Sequence, residues 1–582
     1  MLHRSSVALS ALLLFGGVAH ADPLEIETDF VGPRWEGANF HDNFGWTVAA
    51  PGDLNNDGKS DFLAAGPQDD GPVTFDSTLR VFLGTEDIPQ QRLADWSDGS
   101  FVDAGSTDDS VFNFAVVPDV DGDGIEDLLV AEPNAGDYGT VLLYAGDGNW
   151  NTDRTAADIS ARWTGYEQTE YPALAPETRP SAVAAGDFDG DGLADIVIAS
   201  VLFNRVWIDY TSDGIGAETD LSTVTSFFTS CEADFPGAGF GSSLAIGDLN
   251  GDSNADLIVG APGCDSDAGE VHVWYGDGSP LDATPDLIIP GGEALGNNVF
   301  TDDLDGDGID ELFVQELQTA GDTENDGGLW IFFGDAAGLG TVPDTKLLAA
   351  FSDGRLGASV GVLADISNPA DGISELVVGS PEAAYSGTGQ GSVYVFEGLA
   401  AWPAELQVSD AKYRMDGANL NSWFGQSLAT LDDFNGDGYP EIVVGEPNFS
   451  AENTENEFHR GRVYLVTALP DRDVDGDGIS TLAGDCDDTD FLVRPGGVEE
   501  CNGYDDDCDH VVDEGCEDDD DDTTGDDDDD DSTAAGDDDD SMGGGDCDCS
   551  SSAIGGGWTG PNGLLVAFGL VALAYRRRRL IE

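Results

Sequence analysis

The stretch Asp187-Phe-Asp189-Gly-Asp191-Gly-Leu193-Ala-Asp195 places carboxylates at positions 1, 3, 5 and 9 of a short loop, with glycine at position 6. Side chains at that spacing converge on one point, the backbone carbonyl of position 7 (Leu193) can join them, and the glycine lets the chain turn back sharply. A donor set made only of hard oxygens suits Ca²⁺, which takes about 6 to 8 oxygens at about 2.3–2.6 Å. The same frame recurs as Asp53, Asn55, Asp57 and Asp61, with Lys59 at position 7. It recurs again as Asp119, Asp121, Asp123 and Asp127; as Asp248, Asn250, Asp252 and Asp256; as Asp303, Asp305, Asp307 and Glu311; and as Asp433, Asn435, Asp437 and Glu441. One further copy, Asp365 to Glu375, is two residues longer and puts Ser367 and Pro369 where ligands belong, so it is expected to hold metal weakly or not at all.

These loops need a scaffold that repeats as they do. The lead aspartates Asp53, Asp119, Asp187, Asp248, Asp303, Asp365 and Asp433 are 55 to 68 residues apart. Segments such as FGWTVA, FGSSLA, LGASVG and FGQSLA precede several loops, and apolar runs such as DFLAAGP, DLIVGAP and EIVVGEP follow. A second strand-like run comes next in each copy: TLRVFLG, GTVLLYAG, NRVWIDY, GEVHVWYG, GGLWIFFG, GSVYVFEG and GRVYLVTA. Three short segments rich in Val, Ile, Leu and aromatics, with room for a fourth and Gly/Asp turns between them, read as a four-stranded antiparallel unit. Seven such units predict an all-β, seven-bladed propeller over residues 22–470. The units resemble the FG-GAP repeats of the integrin alpha-chain head, and this resemblance implies that ligands meet the face opposite the calcium loops.

The seventh unit ends after Gly461-Arg-Val-Tyr-Leu-Val466 without a fourth strand. Leu24-Glu-Ile-Glu…Trp35-Glu-Gly-Ala-Asn-Phe40 matches Leu406-Gln-Val-Ser…Met415-Asp-Gly-Ala-Asn-Leu420, so residues 24–31 are expected to close the ring as the outer strand of blade seven. Cys231 and Cys264 flank the fourth copy at one end of its hairpin and are expected to pair.

The ends concern the compartment. Residues 1–21 combine Arg4, an apolar run and Ala19-His20-Ala21, the pattern of a secretory signal peptide. Residues 471–516 hold Cys486, Cys501, Cys508 and Cys516 and two more acidic loops: Asp473, Asp475 and Asp477, then Asp505, Asp507, Asp509 and Asp513. This unit resembles a metal-binding motif recurrent in myxobacterial-type secreted proteins, with His510 where that motif has glycine. With one His and no Met, hard-oxygen Ca²⁺ ligation is preferred there over copper. The disulfide pairing of the four cysteines is left open by sequence. Residues 517–556 are acidic and Gly-rich, self-repelling, and read as a disordered linker. Within 557–582, the apolar run Gly563 to Tyr575 followed by Arg576 to Arg579 resembles a C-terminal sorting tail with a short apolar helix that anchors the chain in a membrane.

With 21 Lys+Arg against 116 Asp+Glu, the net charge of −95 excludes binding to nucleic acid by phosphate neutralisation. Gly357-Ala-Ser359-Val-Gly361 has the form of a nucleophile elbow, but it lies in register with FGSSLA and FGQSLA, so the repeat explains it. No catalytic residue and no organic cofactor is expected, and the chain is not expected to be an enzyme. The sequence reads as an exported, surface-anchored, calcium-binding propeller that acts in adhesion or as an interaction module for an extracellular protein or polysaccharide. Two rival readings are a calcium-dependent polysaccharide-active enzyme with its site in the propeller channel and a passive surface-layer component.

Overall fold

The computed structural model describes residues 24–27, 33–37, 42–66, 70–71, 74–75, 78–85, 91–93, 97–102, 113–167, 179–211, 214–229, 238–317, 328–349, 354–366, 372–384, 389–417, 419–450 and 459–467, and beyond these only Val493 and Cys508. The leader, the unit at 471–516 apart from those two residues, the linker and the tail all lie outside the described residues. No helix among the described residues is long and apolar enough to cross a membrane.

Seven antiparallel sheets follow one another along the chain. Blade 1 comprises Thr47–Gly52, Asp61–Ala65, Thr78–Phe82 and Gly99–Val102. Blade 2 comprises Asn113–Val117, Asp127–Glu132, Thr140–Tyr144 and Ala161–Thr164. Blade 3 comprises Ala182–Gly186, Asp195–Ser200, Arg205–Asp209 and Phe227–Thr229. Blade 4 comprises Leu244–Gly247, Asp256–Ala261, Glu270–Trp274 and Leu287–Pro290. Blade 5 comprises Leu295–Asp302, Glu311–Glu316, Gly328–Phe332 and Thr345–Leu348. Blade 6 comprises Ser359–Leu363, Glu375–Ser380, Ser392–Phe396 and Tyr413–Asp416. Blade 7 takes Ser427–Leu431, Glu441–Glu446 and Arg462–Val466 from the end of the chain. In each of the seven repeats the segment led by the aspartate joins the first and second strands of its blade.

The ring is closed by the N-terminal segment, but by a different part of it than expected. Arg34–Glu36 is the outer strand of blade 7, antiparallel to Arg462–Val466 with Trp35 opposite Val463. Leu24–Glu27 instead runs parallel to Tyr413–Asp416, as a fifth strand on blade 6. The two segments do correspond, but the outer strand lies in the second half of each. Trp35 corresponds to Met415, which lies on an outer strand, whereas Leu24 corresponds to Leu406 in Glu405–Gln407, which runs parallel to the outer strand of blade 5. Gln91–Leu93 lies in the same way on blade 7 and Glu218–Asp220 on blade 2. At these four places the segment that leads into an outer strand first covers the edge of the preceding blade, which leaves fewer unpaired edge groups there.

Apolar clusters fill the spaces between neighbouring blades. Leu129, Leu143 and Trp163 of blade 2 pack with Val183, Ile198 and Trp207 of blade 3, and Trp35 packs with Phe62, Phe82, Val443 and Leu465 across the closure. Second strands such as Asp127–Glu132 are buried along their whole length, which explains their unbroken apolar runs. The glycine motifs mark where one blade crosses the next. Gly45 has φ +86°, and a Cβ on Gly445 would stand 2.0 Å from the Gly45 carbonyl oxygen. Cys264 is disulfide-bonded, and Cys231, its expected partner, lies outside the described residues.

Candidate metal centres

Each loop is wound on its own carboxylates. In loop 3, Asp187 accepts the N–H groups of Gly190 at 2.7 Å and Gly192 at 2.9 Å, Asp189 accepts that of Asp191 at 3.2 Å, and Asp191 accepts that of Leu193 at 2.9 Å. Loops 1, 2, 4, 5 and 7 repeat the pattern; position 6 of loop 1, for example, donates to Asp53 at 2.7 Å and that of loop 7 to Asp433 at 3.0 Å. These turns hold the side chains of positions 1, 3 and 5 on the inside of the loop.

Position 9 opens the second strand and does more than its spacing indicated. Asp127 takes the Val120 N–H with one oxygen and the Gly146 N–H with the other, both at 2.8 Å. Asp61, Asp195, Asp256 and Glu311 do the same with Leu54 and Gly84, Phe188 and Thr211, Leu249 and Gly276, and Leu304 and Gly334. This carboxylate thus ties the loop to the end of the third strand. The signal available in the sequence was the glycine after that strand: a Cβ on Gly146 would stand 2.1 Å from the Glu126 carbonyl oxygen.

Burial raises the pKa of these carboxylates above the usual range, only partly offset by the donated N–H groups: Asp127 and Asp195 to about 6, Asp61 and Asp256 to about 7, Glu311 to about 8. The neighbouring loop carboxylates push in the same direction. A site of this kind gains from a cation that relieves both desolvation and mutual repulsion.

The donor set fits a hard divalent cation. Asp119, Asp121 and Asp127 bring carboxylate oxygens within 4.8 Å of one another, as do Asp187, Asp189 and Asp195; Asp303, Asp305 and Glu311; and Asp433, Asp437 and Glu441. In loops 1, 4 and 7 the position 3 residues Asn55, Asn250 and Asn435 replace one carboxylate with an amide oxygen. Of the longer sixth loop, residues 367–371 lie outside the described residues, but its ends keep their roles: Asp365 accepts the Gly372 N–H and Glu375 accepts that of Ile366. The acidic residues at 473–477 and 505–513 also lie outside the described residues.

Ser359 of the elbow-like sequence donates its hydroxyl to the Gly425 carbonyl of the next blade at 2.9 Å, and Ser427 donates likewise to Gly45. That serine is an inter-blade clasp.

The FG-GAP repeat model matches residues 240–274 and 424–466, and the FG-GAP-like repeat model matches 119–198. The chain carries FG-GAP repeats. Residues 485–514 match the Cu-binding MopE metal-binding motif. The FG-GAP propeller is similar to integrin alpha-5 of Xenopus laevis, 26% identical over 239 residues, which is 39% of this chain and 21% of that protein. Integrin alpha-PS5 of Drosophila melanogaster is 31% identical over 31% of this chain and 16% of its own length. Phosphatidylinositol-glycan-specific phospholipase D of Bos taurus is 27% identical over 43% of this chain and 32% of its own length. The chain therefore matches a third or less of each of these relatives.

Proposed function

We propose that this FG-GAP propeller is an exported adhesion or interaction module whose blades are stabilised by Ca²⁺ in the loops led by Asp53, Asp119, Asp187, Asp248, Asp303 and Asp433. The observation that carries this reading is the convergence of three carboxylate oxygens at the same place in four of the blades. Similarity to integrin alpha chains over the repeats supports the adhesive role. The loops present only oxygen donors, which favours Ca²⁺ over softer metals. Residues 1–21 direct export, and residues 557–582 hold the chain at the membrane surface. Asp473, Asp475 and Asp477, with Asp505, Asp507, Asp509 and Asp513, form further Ca²⁺ loops in the cysteine-rich unit. The partner is an extracellular protein or polysaccharide.

The test is binding of the full chain to a glycan array and to extracellular protein extracts, in Ca²⁺ and in EDTA. The reading expects capture of a defined partner that is lost in EDTA together with a fall in melting temperature. A melting temperature indifferent to EDTA, or turnover of a polysaccharide by the purified chain, would overturn it.

A further inference from the structure

The residue at position 8 of a loop lies between the proposed carbonyl ligand at position 7 and the clasp at position 9. In loop 3 it is Ala194, whose N–H donates to the backbone carbonyl of Asp119, position 1 of loop 2, at 3.2 Å. Asp310 of loop 5 makes the same bond to Asp248 of loop 4 at 2.9 Å, and Ser60 of loop 1 makes it to Asp433 of loop 7 at 2.8 Å. Side chains reinforce these seams. Asp310 Oδ2 accepts the Asp248 N–H at 2.8 Å, and Ser60 Oγ accepts the N–H of Asp432 at 3.2 Å and of Asp433 at 3.4 Å. Leu193 of loop 3 reaches to 3.4 Å from where a Cβ of Gly122 in loop 2 would sit, and Ile309 of loop 5 to 2.8 Å from that of Gly251 in loop 4.

The remaining loops lack this bond among the described residues. Among the described residues, the N–H of Glu126 does not reach Asp53, nor does that of Ala255 reach Asp187. Loop 7 carries Pro440 at position 8 and has no N–H to give.

We propose that the metal loops operate as three coupled pairs, 7 with 1, 2 with 3 and 4 with 5, so that filling one loop raises the affinity of its partner. This rests on the reading that the loops hold metal. One planar peptide unit carries both the position 7 carbonyl and the position 8 N–H. A cation drawing that carbonyl into the loop fixes the direction of the N–H, which holds the position 1 aspartate of the preceding loop, itself a ligand. The coupling is reciprocal, because any free energy that one site lends the other is returned. The sixth loop, the one with the altered ligand pattern, stands outside the three pairs.

The experiment is a set of double-mutant cycles on the full chain, read as the rise in melting temperature that Ca²⁺ produces over EDTA. Position 5 is aspartate in all six loops, so Asp123→Asn and Asp191→Asn disable loops 2 and 3, and Asp252→Asn disables loop 4. For six loops, either single substitution within pair 2 and 3 should remove more than its share of about one-sixth of the Ca²⁺-induced rise, up to about one-third, and the double Asp123→Asn/Asp191→Asn less than the sum of its two singles. Loops 3 and 4 are also adjacent but lack the bond, so Asp191→Asn/Asp252→Asn should lose the sum of its two singles. Additive losses in both cycles, or equal coupling in both, would overturn the pairing. A wild-type chain with no Ca²⁺-induced rise would instead overturn the metal reading beneath it.

Discussion

Asp189 and Asp191 lie on the inside of loop 3 and are committed to its turns through one oxygen each, leaving further lone pairs for a cation. With a dissociation constant of about 0.1 mM, as in extracellular Ca²⁺ modules, about 1 mM Ca²⁺ adds on the order of 1.4 kcal/mol per site. Asp189→Ala should therefore lower the melting temperature in Ca²⁺ while changing that in EDTA little, and Asp371→Ala in the sixth loop should leave both unchanged; calorimetry in the two buffers checks this. The position 9 carboxylates give a pH dependence of defined sign. Their folded pKa values, about 6 to 8, lie above the ordinary carboxylate range, so the folded state holds these protons more tightly than the unfolded one. That contribution is fully present below the unfolded value near about 4 and is lost as pH rises through the folded values. In EDTA the melting temperature should fall as pH rises from about 5 to about 8, and the stabilisation by Ca²⁺, which competes with those protons, should grow over the same window. A flat EDTA profile would show that burial does not act on these groups. The ligand frame was legible in the sequence because its residues are neighbours in the chain. The clasp made by the same Asp127 was not, because its second partner, Gly146, is reached only after two strands have folded back.

At the scale of the strand, the glycines named in the repeat mark the contact between successive blades. The second-strand glycines Gly260, Gly379 and Gly445 each lie against the FG-type glycine of the following blade, with 2.0 to 2.3 Å between a would-be Cβ and its carbonyl oxygen. Backbone cannot yield as a flexible side chain can, so Gly445→Ala should cost at least about 3 kcal/mol. Gly58, at φ +91° with nothing within 4 Å of its Cβ position, should cost only about 1–2 kcal/mol on the same change, from conformation alone. Urea midpoints of the two variants decide it, and equal losses would refute the close crossing. The blade count was legible because each copy repeats its glycine and apolar pattern. The identity of the outer strand was less so, since Leu24–Glu27 and Arg34–Glu36 both read as extended. What separates them is Trp35, 2% exposed, whose ring lies 5.1 Å from Phe62 and 5.3 Å from Phe82. Burial in the closing core, not alternation, selects the strand.

For the whole molecule, the closure joins residues more than four hundred positions apart. Glu36 forms a buried ion pair with Arg462, which also donates to the Tyr464 hydroxyl at 2.8 Å, and that hydroxyl donates to Glu446 at 3.0 Å. Buried Glu446 also acts on Arg462, so Glu36→Ala should cost less than the about 3–5 kcal/mol of a fully stranded charge, whereas Arg462→Met, which strands Glu36 and Glu446 together, should cost at least that much. Equal falls in the urea midpoint of the two variants would show that Glu446 does not share the cation. Deleting residues 22–30 removes only the strand on the edge of blade 6 and should leave a cooperative propeller, while deleting 22–37 takes Trp35 and Glu36 with it and should abolish cooperative melting. Equal effects would place the closure back on the first segment. The order of strands in blade 7 also governs how the molecule bears tension. Its last strand, Arg462–Val466, lies between Glu441–Glu446 and Arg34–Glu36, not at a free edge. A pull on the polypeptide beyond Val466 loads two ladders at once along their length, so they must slide together instead of unzipping bond by bond, and the N-terminal strand becomes half of the grip.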